Sequence, residues 1–249
     1  MEGVIDMPKA KYEPIYHAIR DEIESQEIKF GDFLPSENDY VARFKVSRNT
    51  IRRALSILTS EGFLLPRHGR GVQVIWKPLT DMALFTIGGI ESFSEAAYRN
   101  QKTYRTEVIT FREIISDKST CRLTGFDVGV ELYYIERRRI IEDKPVVFDT
   151  NVFLKEETPG LTKEIASDSI YKYLEDTLGM TITTSRRRVT AEPATKHDKE
   201  ILDLDHQDFV LTVTGQVFNS NGVMFEYTQS RHVPNHVCFV ESAVRQKIS

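Results

Sequence analysis

The chain has 249 residues, of which 40% are hydrophobic and 28% charged. That is ordinary globular composition, long enough for two modest domains. The net charge of −4 excludes a generally basic protein, and two cysteines, Cys121 and Cys238, exclude a disulfide framework and favour a reducing, cytoplasmic setting. The first eleven residues hold no apolar core, so no secretory signal is expected there, and the longest weakly apolar stretch, 82–90, is far too short to span a bilayer. The acidic total conceals an asymmetry. Between Arg43 and Lys77 stand eight basic residues against one acid, whereas residues 1–42 carry four bases and ten acids. A basic block inside an acidic chain points to a local contact with a polyanion.

In chain order, Pro14 suits the first turn of a helix, and Ile15, Ile19 and Ile23 give it one apolar stripe. Ser36 is a good N-cap for a short helix over 37–44, with Asp39 as its partner three residues on. Ser47 caps another, over 48–60, whose buried stripe is Ile51, Leu55 and Leu58 and which Gly62 ends. Arg48, Asn49, Arg52 and Arg53 cannot all fit the buried side. Residues 63–65 and 72–74 read as two short strands around the glycine-rich tip Pro66-Arg67-His68-Gly69-Arg70-Gly71. Three helices and a basic hairpin are the layout of a winged helix-turn-helix over 1–75, with a linker at 76–83 containing Pro78.

From residue 84 the pattern changes. Strands are expected at 106–114, 131–141, 146–153, 181–190, 209–218 and 223–231, and helices at 93–100, 161–165, 170–178 and 196–202. Asp143-Lys144 and Ser220-Asn221-Gly222 read as hairpin turns. Residues 84–249 are thus expected to form a mainly antiparallel sheet with helices, which makes the whole chain α+β.

A helix that enters the major groove must present short polar and basic groups at its N-terminus. Ser47, Arg48, Asn49, Thr50 and Arg52 supply them, arginine for guanine and the hydroxyl and amide groups for bases or phosphates. Arg67, His68, Gly69 and Arg70 suit a wing that lies close to the DNA. The runs Leu34-Pro35-Ser36-Glu37, Val46-Ser47-Arg48-Asn49-Thr50-Ile51-Arg52-Arg53-Ala54-Leu55, Glu61-Gly62-Phe63 and His68-Gly69-Arg70-Gly71 resemble the signature of the GntR family of bacterial regulators. The resemblance implies double-stranded operator DNA as partner, a homodimer, and DNA contacts at Ser47, Arg48, Asn49, Thr50, Arg52, His68 and Gly69. Asn38 stands where the family very often has a contacting arginine.

In the second half, Arg137 and Arg139 share one face of a strand about 7 Å apart, together with Tyr133, Ile135 and Ile141. Two arginines on a partly apolar face need anions, either acidic neighbours or a bound phosphate. Ser94, Ser169 and Tyr171 are hydroxyl donors near helix starts, and Asp149 and Glu226 are acceptors suited to sugar hydroxyls. Ser92-Phe93-Ser94-Glu95, Arg137-Arg138-Arg139, Lys144-Pro145, Ser169-Ile170-Tyr171, Phe225-Glu226 and Arg231-His232 resemble the HutC-type effector domain of that family, whose fold is similar to chorismate lyase. The resemblance implies a pocket of Phe93, Ser94, Arg137, Arg139, Asp149, Ser169, Tyr171, Glu226 and His232. Asp149 replaces a more usual Glu, and His232 a frequent Tyr. Residues 161–180 and Thr228-Gln229-Ser230-Arg231-His232 look most like the branch of trehalose operon repressors of Gram-positive bacteria, implying trehalose 6-phosphate as effector. An amino-sugar phosphate such as glucosamine 6-phosphate, and a lyase-like enzyme tethered to DNA with Glu226 as acid/base, are the alternatives.

Other signals carry less. His232, His236 and Cys238 lack a fourth ligand and a common register, so neither a metal nor a cofactor is expected. Arg186-Arg187-Arg188 reads as a solvated strand edge, and Gly88-Gly89 as a turn.

Overall fold

The computed structural model describes residues 12–77, 82–86 and 89–241. They form two compact units, residues 12–77 with Glu241 and residues 82–240. The expectations for the first eleven residues, Pro78, Gly88 and the tail after Glu241 lie outside the described residues.

In the first unit, α1 (Glu13–Glu24) buries Ile15, Ile19 and Ile23. In α2 (Glu37–Phe44) Ser36 accepts from the Asp39 amide while the Asp39 carboxylate takes the Ser36 N–H, a complete capping box. α3 (Arg48–Ser60) starts on Ser47, which accepts from the Thr50 amide, and buries Ile51, Ala54, Leu55 and Leu58. β1 (Leu64–Arg67) and β2 (Gly71–Val74) form an antiparallel hairpin, to which Phe33 adds a bridge opposite Gln73. Trp76, expected in the linker, stacks on Phe63 with ring centroids 5.6 Å apart and packs on this core. A large indole at the end of a strand is better covered than solvated.

In the second unit, β3 (Ala83–Thr86) pairs in parallel with β10 (Val237–Val240). Ala83, at the other end of the expected linker, is therefore already strand. Between these two strands the chain runs through α4 (Phe93–Arg99), β4 (Tyr104–Ile115), α5 (Lys118–Thr124), β5 (Glu131–Ile141), β6 (Lys144–Leu154), α6 (Lys163–Ser167), α7 (Ile170–Lys172), a π turn (Tyr173–Thr177), β7 (Ile182–Pro193), α8 (Lys196–Ile201), β8 (Phe209–Asn219) and β9 (Met224–His232). Six strands form one antiparallel sheet in the order β4-β5-β6-β9-β8-β7. The helix expected over 170–178 is thus one α turn that widens, Leu178 N–H bonding to the Tyr173 carbonyl. The β5–β6 turn places Glu142 and Asp143 at positive φ, the two-residue hairpin geometry that matches strand twist.

The sheet has two unlike faces. Against one, α6, α7 and the π turn pack Ala166, Ile170 and Leu174 over Tyr133, Ile135 and Phe153. On the other, Arg231 is buried and bonds Asp198 twice, at 2.8 and 3.0 Å, and Glu192 at 2.7 Å. Asp198 also closes the capping box of α8 with Thr195. Breaking a buried, hydrogen-bonded pair strands the remaining charge, so Asp198→Ala should cost about 3 kcal/mol. Differential scanning calorimetry should show the effector-unit Tm falling by about 6–12 °C, with DNA binding by the first unit retained.

Candidate functional site

The first candidate surface is the exposed N-terminal end of α3. Arg48, Asn49, Arg52 and Arg53 are all exposed, as the amphipathic pattern requires. Glu37 organises two of them. The Arg52 Nε donates to both Glu37 carboxylate oxygens, at 2.9 and 3.0 Å, and the Arg48 Nε lies 3.7 Å from the same group. Arg48 also donates to the Asn38 side-chain oxygen, so Asn38 positions an arginine where an arginine of its own is more usual. The Ser47 and Thr50 hydroxyls are 2.8 Å apart. In the hairpin, Arg67, His68, Gly69 and Arg70 are all exposed, and the Arg70 N–H bonds the Arg67 carbonyl at 2.9 Å to close the tip. Gly69 has φ +71°, a conformation that an L side chain strains to adopt, and nothing crowds it.

The second surface is a pocket over the helix-covered side of the sheet. All nine residues expected there, Phe93, Ser94, Arg137, Arg139, Asp149, Ser169, Tyr171, Glu226 and His232, line this one cavity. Strand register builds its floor. Arg137 sits opposite Asp149, Asp149 opposite Ser230, and Ser230 opposite Val213. One row along, Asn151, Thr228, Gly215 and Arg187 are successive partners. Residues two apart on a strand share a face, so each row adds its side chains to the same pocket.

The two arginines differ in their partners. Arg139 donates to Asp149 at 2.7 Å and to the Thr106 hydroxyl at 2.7 Å, with its guanidinium 5.0 Å from the centre of the Phe93 ring. Asp149 is therefore an ion-pair partner in this structure rather than a free acceptor. Burial resists its ionisation, but Arg139 and Arg137 hold its carboxyl below the usual range. Arg137 has only neutral partners: the Asn151 side-chain oxygen at 2.8 and 3.2 Å and the Ala166 carbonyl at 3.4 Å. Among the described residues it has no ion pair, although it is 5% exposed. Burial, with Arg139 beside it, pushes its pKa down to about 9, so at neutral pH it is a charged group held in a poor environment for charge.

The half-buried Tyr171 pairs with buried Glu226, its hydroxyl donating to the carboxylate at 2.7 Å, and Asn151 donates to the other oxygen at 2.9 Å. Burial raises the Glu226 pKa despite these donors. Ser94 lies 3.0 Å from the Ser92 hydroxyl, which caps α4, and Ser169 caps α7 by accepting from the Lys172 amide at 3.3 Å. Capping uses the serine lone pairs and leaves the hydroxyl protons to donate.

Residues 11–74 match the family described as bacterial regulatory proteins, gntR family, and residues 99–237 match the UTRA domain, which alone spans more than half of the chain. The chain belongs to the GntR family. Its winged unit makes it a DNA-binding transcription regulator, and its second unit is a small-molecule effector domain, not an enzyme. Over 95% of its length this GntR protein is 33% identical to "HTH-type transcriptional regulator TreR" of Bacillus subtilis, 98% of which is covered. It is 29% identical to "HTH-type transcriptional repressor NagR" of the same organism, over 91% of this chain and 93% of that one. Among solved structures, the effector-binding domain of the B. subtilis trehalose repressor TreR matches with a TM-score of 0.53, 33% identity, and coverage of 57% of this chain and 99% of that one. The regulator YydK of B. subtilis shares the fold, with a TM-score of 0.77 at 22% identity over 95% of this chain and all of that one.

Within this GntR-family pocket several lining residues escaped sequence reasoning. Asn151, which ties Arg137 to Glu226, lies two positions after Asp149 on the same strand face, and Thr228 and Ser230 follow Glu226 at the same period. The sequence pattern places Arg187 on a solvated edge. Its strand is an edge of the sheet, but Arg187 lines the pocket while Arg186 and Arg188 are exposed. Among the described residues no His, Cys, Asp and Glu cluster could hold a metal, and no helix is long and apolar enough to cross a membrane.

His232 is buried edge-on to Phe85 and Phe239, ring centroids 5.5 and 4.9 Å away, and its Nδ1 is 3.2 Å from the Leu211 carbonyl. A carbonyl only accepts, so Nδ1 carries the proton and Nε2 faces as an acceptor. Burial lowers the imidazole pKa below its ordinary 6.5, outweighing Asp149 and the backbone. The unfolded chain then binds the proton more readily, so this contribution to stability is complete above 6.5 and is lost as pH falls through the folded value. Thermal melts should show wild type losing more stability than His232→Phe between about pH 7.5 and 5.5. Equal losses would mean that His232 titrates normally in the fold.

Proposed function

We propose that this protein is a cytoplasmic repressor of a trehalose-utilisation operon, released from its operator by a sugar phosphate, trehalose 6-phosphate. The observation that carries the reading is Arg137, a buried guanidinium with neutral partners among the described residues, beside Arg139 and the Ser94 and Ser169 hydroxyls in one pocket. A phosphate there satisfies the charge by charge-assisted bonds and replaces the missing counter-ion. Asn151, Glu226, Tyr171 and His232 then meet sugar hydroxyls, and Phe93 covers a ring face. The likeness to TreR of B. subtilis and to the effector-binding domain of its trehalose repressor supports the choice of sugar.

In this reading Asn38, Ser47, Arg48, Asn49, Thr50, Arg52, Arg67, His68, Gly69 and Arg70 contact the operator. A homodimer sets two α3 helices in successive major grooves, about one helical turn apart. The effector releases DNA only if it binds the non-DNA state more tightly, and the coupling is reciprocal. The test is fluorescence anisotropy on labelled DNA from upstream of the protein's own gene, titrated with trehalose 6-phosphate, trehalose, glucose 6-phosphate and glucosamine 6-phosphate. Selective release by trehalose 6-phosphate is expected. Selective release by glucosamine 6-phosphate, or tight DNA binding unmoved by all four, would overturn the effector assignment.

A further inference from the structure

We propose that Arg187 is a specificity-determining residue that reads the end of the effector farthest from its phosphate, and that the pocket is built for a phosphorylated disaccharide rather than a monosaccharide phosphate. The proposal rests on the effector reading above, with the phosphate at Arg137 and Arg139. Its basis is the span of the pocket. Arg137 lies on β5 and Arg187 on β7, at opposite sides of one continuous lining. Between those strands lie β6, β9 and β8, so the backbones stand four strand spacings apart, roughly 19 Å. Long side chains pointing inward shorten the gap, and Tyr171 lines the same pocket as both arginines. A single pyranose covers little more than one strand spacing. With its phosphate on Arg137, it leaves the β8–β7 end of the floor untouched.

That end is shaped for a neutral, hydroxyl-rich group. Ser185, Arg187 and Val189 face the pocket from β7, and Thr228, Ser230, Val213 and Val217 from its neighbours. Hydroxyls beside small aliphatic groups suit the mixed polar rim and apolar face of a sugar ring. The Arg187 stem runs close over β8: a Cβ at Gly215 would stand 3.6 Å from its Cγ, in van der Waals contact, and a tighter 3.2 Å from the Thr228 methyl. The guanidinium is fixed in place. Its Nη1 donates to the Gly89 carbonyl at 2.8 Å and the Thr86 carbonyl at 3.4 Å, and its Nε lies 3.3 Å from the Ser185 hydroxyl. A guanidinium anchored on carbonyl and hydroxyl oxygens is a preorganised donor for further hydroxyls. A second phosphate would need two N–H groups side by side on one edge for bidentate bonding, and Nε and Nη1 are already engaged.

Isothermal titration calorimetry on the full chain tests this, with trehalose 6-phosphate, glucose 6-phosphate and glucose 1,6-bisphosphate as probes. Arg187→Met keeps the stem over Gly215 and removes the donors. It should weaken trehalose 6-phosphate by about tenfold to a hundredfold and leave glucose 6-phosphate within about twofold. Ser185→Ala, a smaller change, should show the same selective loss to a lesser degree and serves if Arg187→Met is unstable. Equal loss of both ligands, loss of neither, or tightest binding of the bisphosphate would overturn the proposal and leave the anion site at Arg137 standing. If none of the three binds wild type, the effector reading itself falls, and this proposal with it.

Discussion

Arg137→Met is expected to abolish effector response without destabilising the ligand-free protein. The two halves of that outcome have one cause. Arg137 is a charge out of water with no carboxylate at ion-pair distance among the described residues, and its depressed pKa expresses the same penalty. An apolar stem of similar length removes the penalty. Against this, Asn151 and the Ala166 carbonyl lose a donor each, and buried Asp149 and Glu226 lose a nearby positive charge. The terms oppose, so the ligand-free Tm should equal or exceed that of wild type. With effector the balance reverses. Deleting one partner of a buried, charge-assisted contact costs about 2–5 kcal/mol, or roughly thirtyfold to several thousandfold in affinity. Saturating trehalose 6-phosphate should raise the wild-type Tm by roughly 5–10 °C at a hundred times its Kd and leave the variant unmoved. A ligand-free Tm well below wild type would make Arg137 a structural brace and remove the main support for a phosphate site.

Such a residue can be found in the sequence because period and charge coincide. Two arginines at spacing two among Tyr133, Ile135 and Ile141 place charge on an apolar face whichever strand partner they meet. The sequence does not say which arginine is neutralised within the protein. That depends on register, which puts Asp149 within reach of Arg139 and the neutral Asn151 within reach of Arg137. Of the two outcomes weighed for the pair, pairing with an acidic neighbour is seen at Arg139, whereas Arg137 meets a neutral amide and a carbonyl. The caps Ser36, Ser47 and Gly62 marked the helices of the first unit closely, since they act on the residues next to them. α5 lacks a buried stripe, its Leu123 being exposed, so it is absent from the expected helices although Asp117 caps its start and Gly125 ends it. The parallel pair β3–β10 joins segments from opposite ends of the effector unit, and no local signal encodes that meeting. Arg187 was misjudged for a related reason. An edge strand is solvated on one side only, and its other face belongs to the same floor as its neighbours.

Arg52→Ala is expected to weaken operator binding by about fivefold to 150-fold while leaving effector affinity unchanged. Arg52 is exposed and held by Glu37 alone among the described residues, so truncating it removes no core contact and Tm should barely move. Its role in the groove can then be read from salt dependence. If Arg52 neutralises a phosphate, the slope of log K against log salt should drop by about one, and affinity should fall alike on specific and random DNA. If it reads a base edge, the slope should hold and discrimination at one position should relax. The fork at Glu37 favours the second outcome, because an arginine fixed in direction by two hydrogen bonds is placed for a bidentate partner. Arg52→Lys separates the cases further: it preserves the charge and loses the planar fork, so it should rescue phosphate binding but not base reading. Equal loss of DNA and effector binding in Arg52→Ala would contradict the assignment of the two activities to separate units.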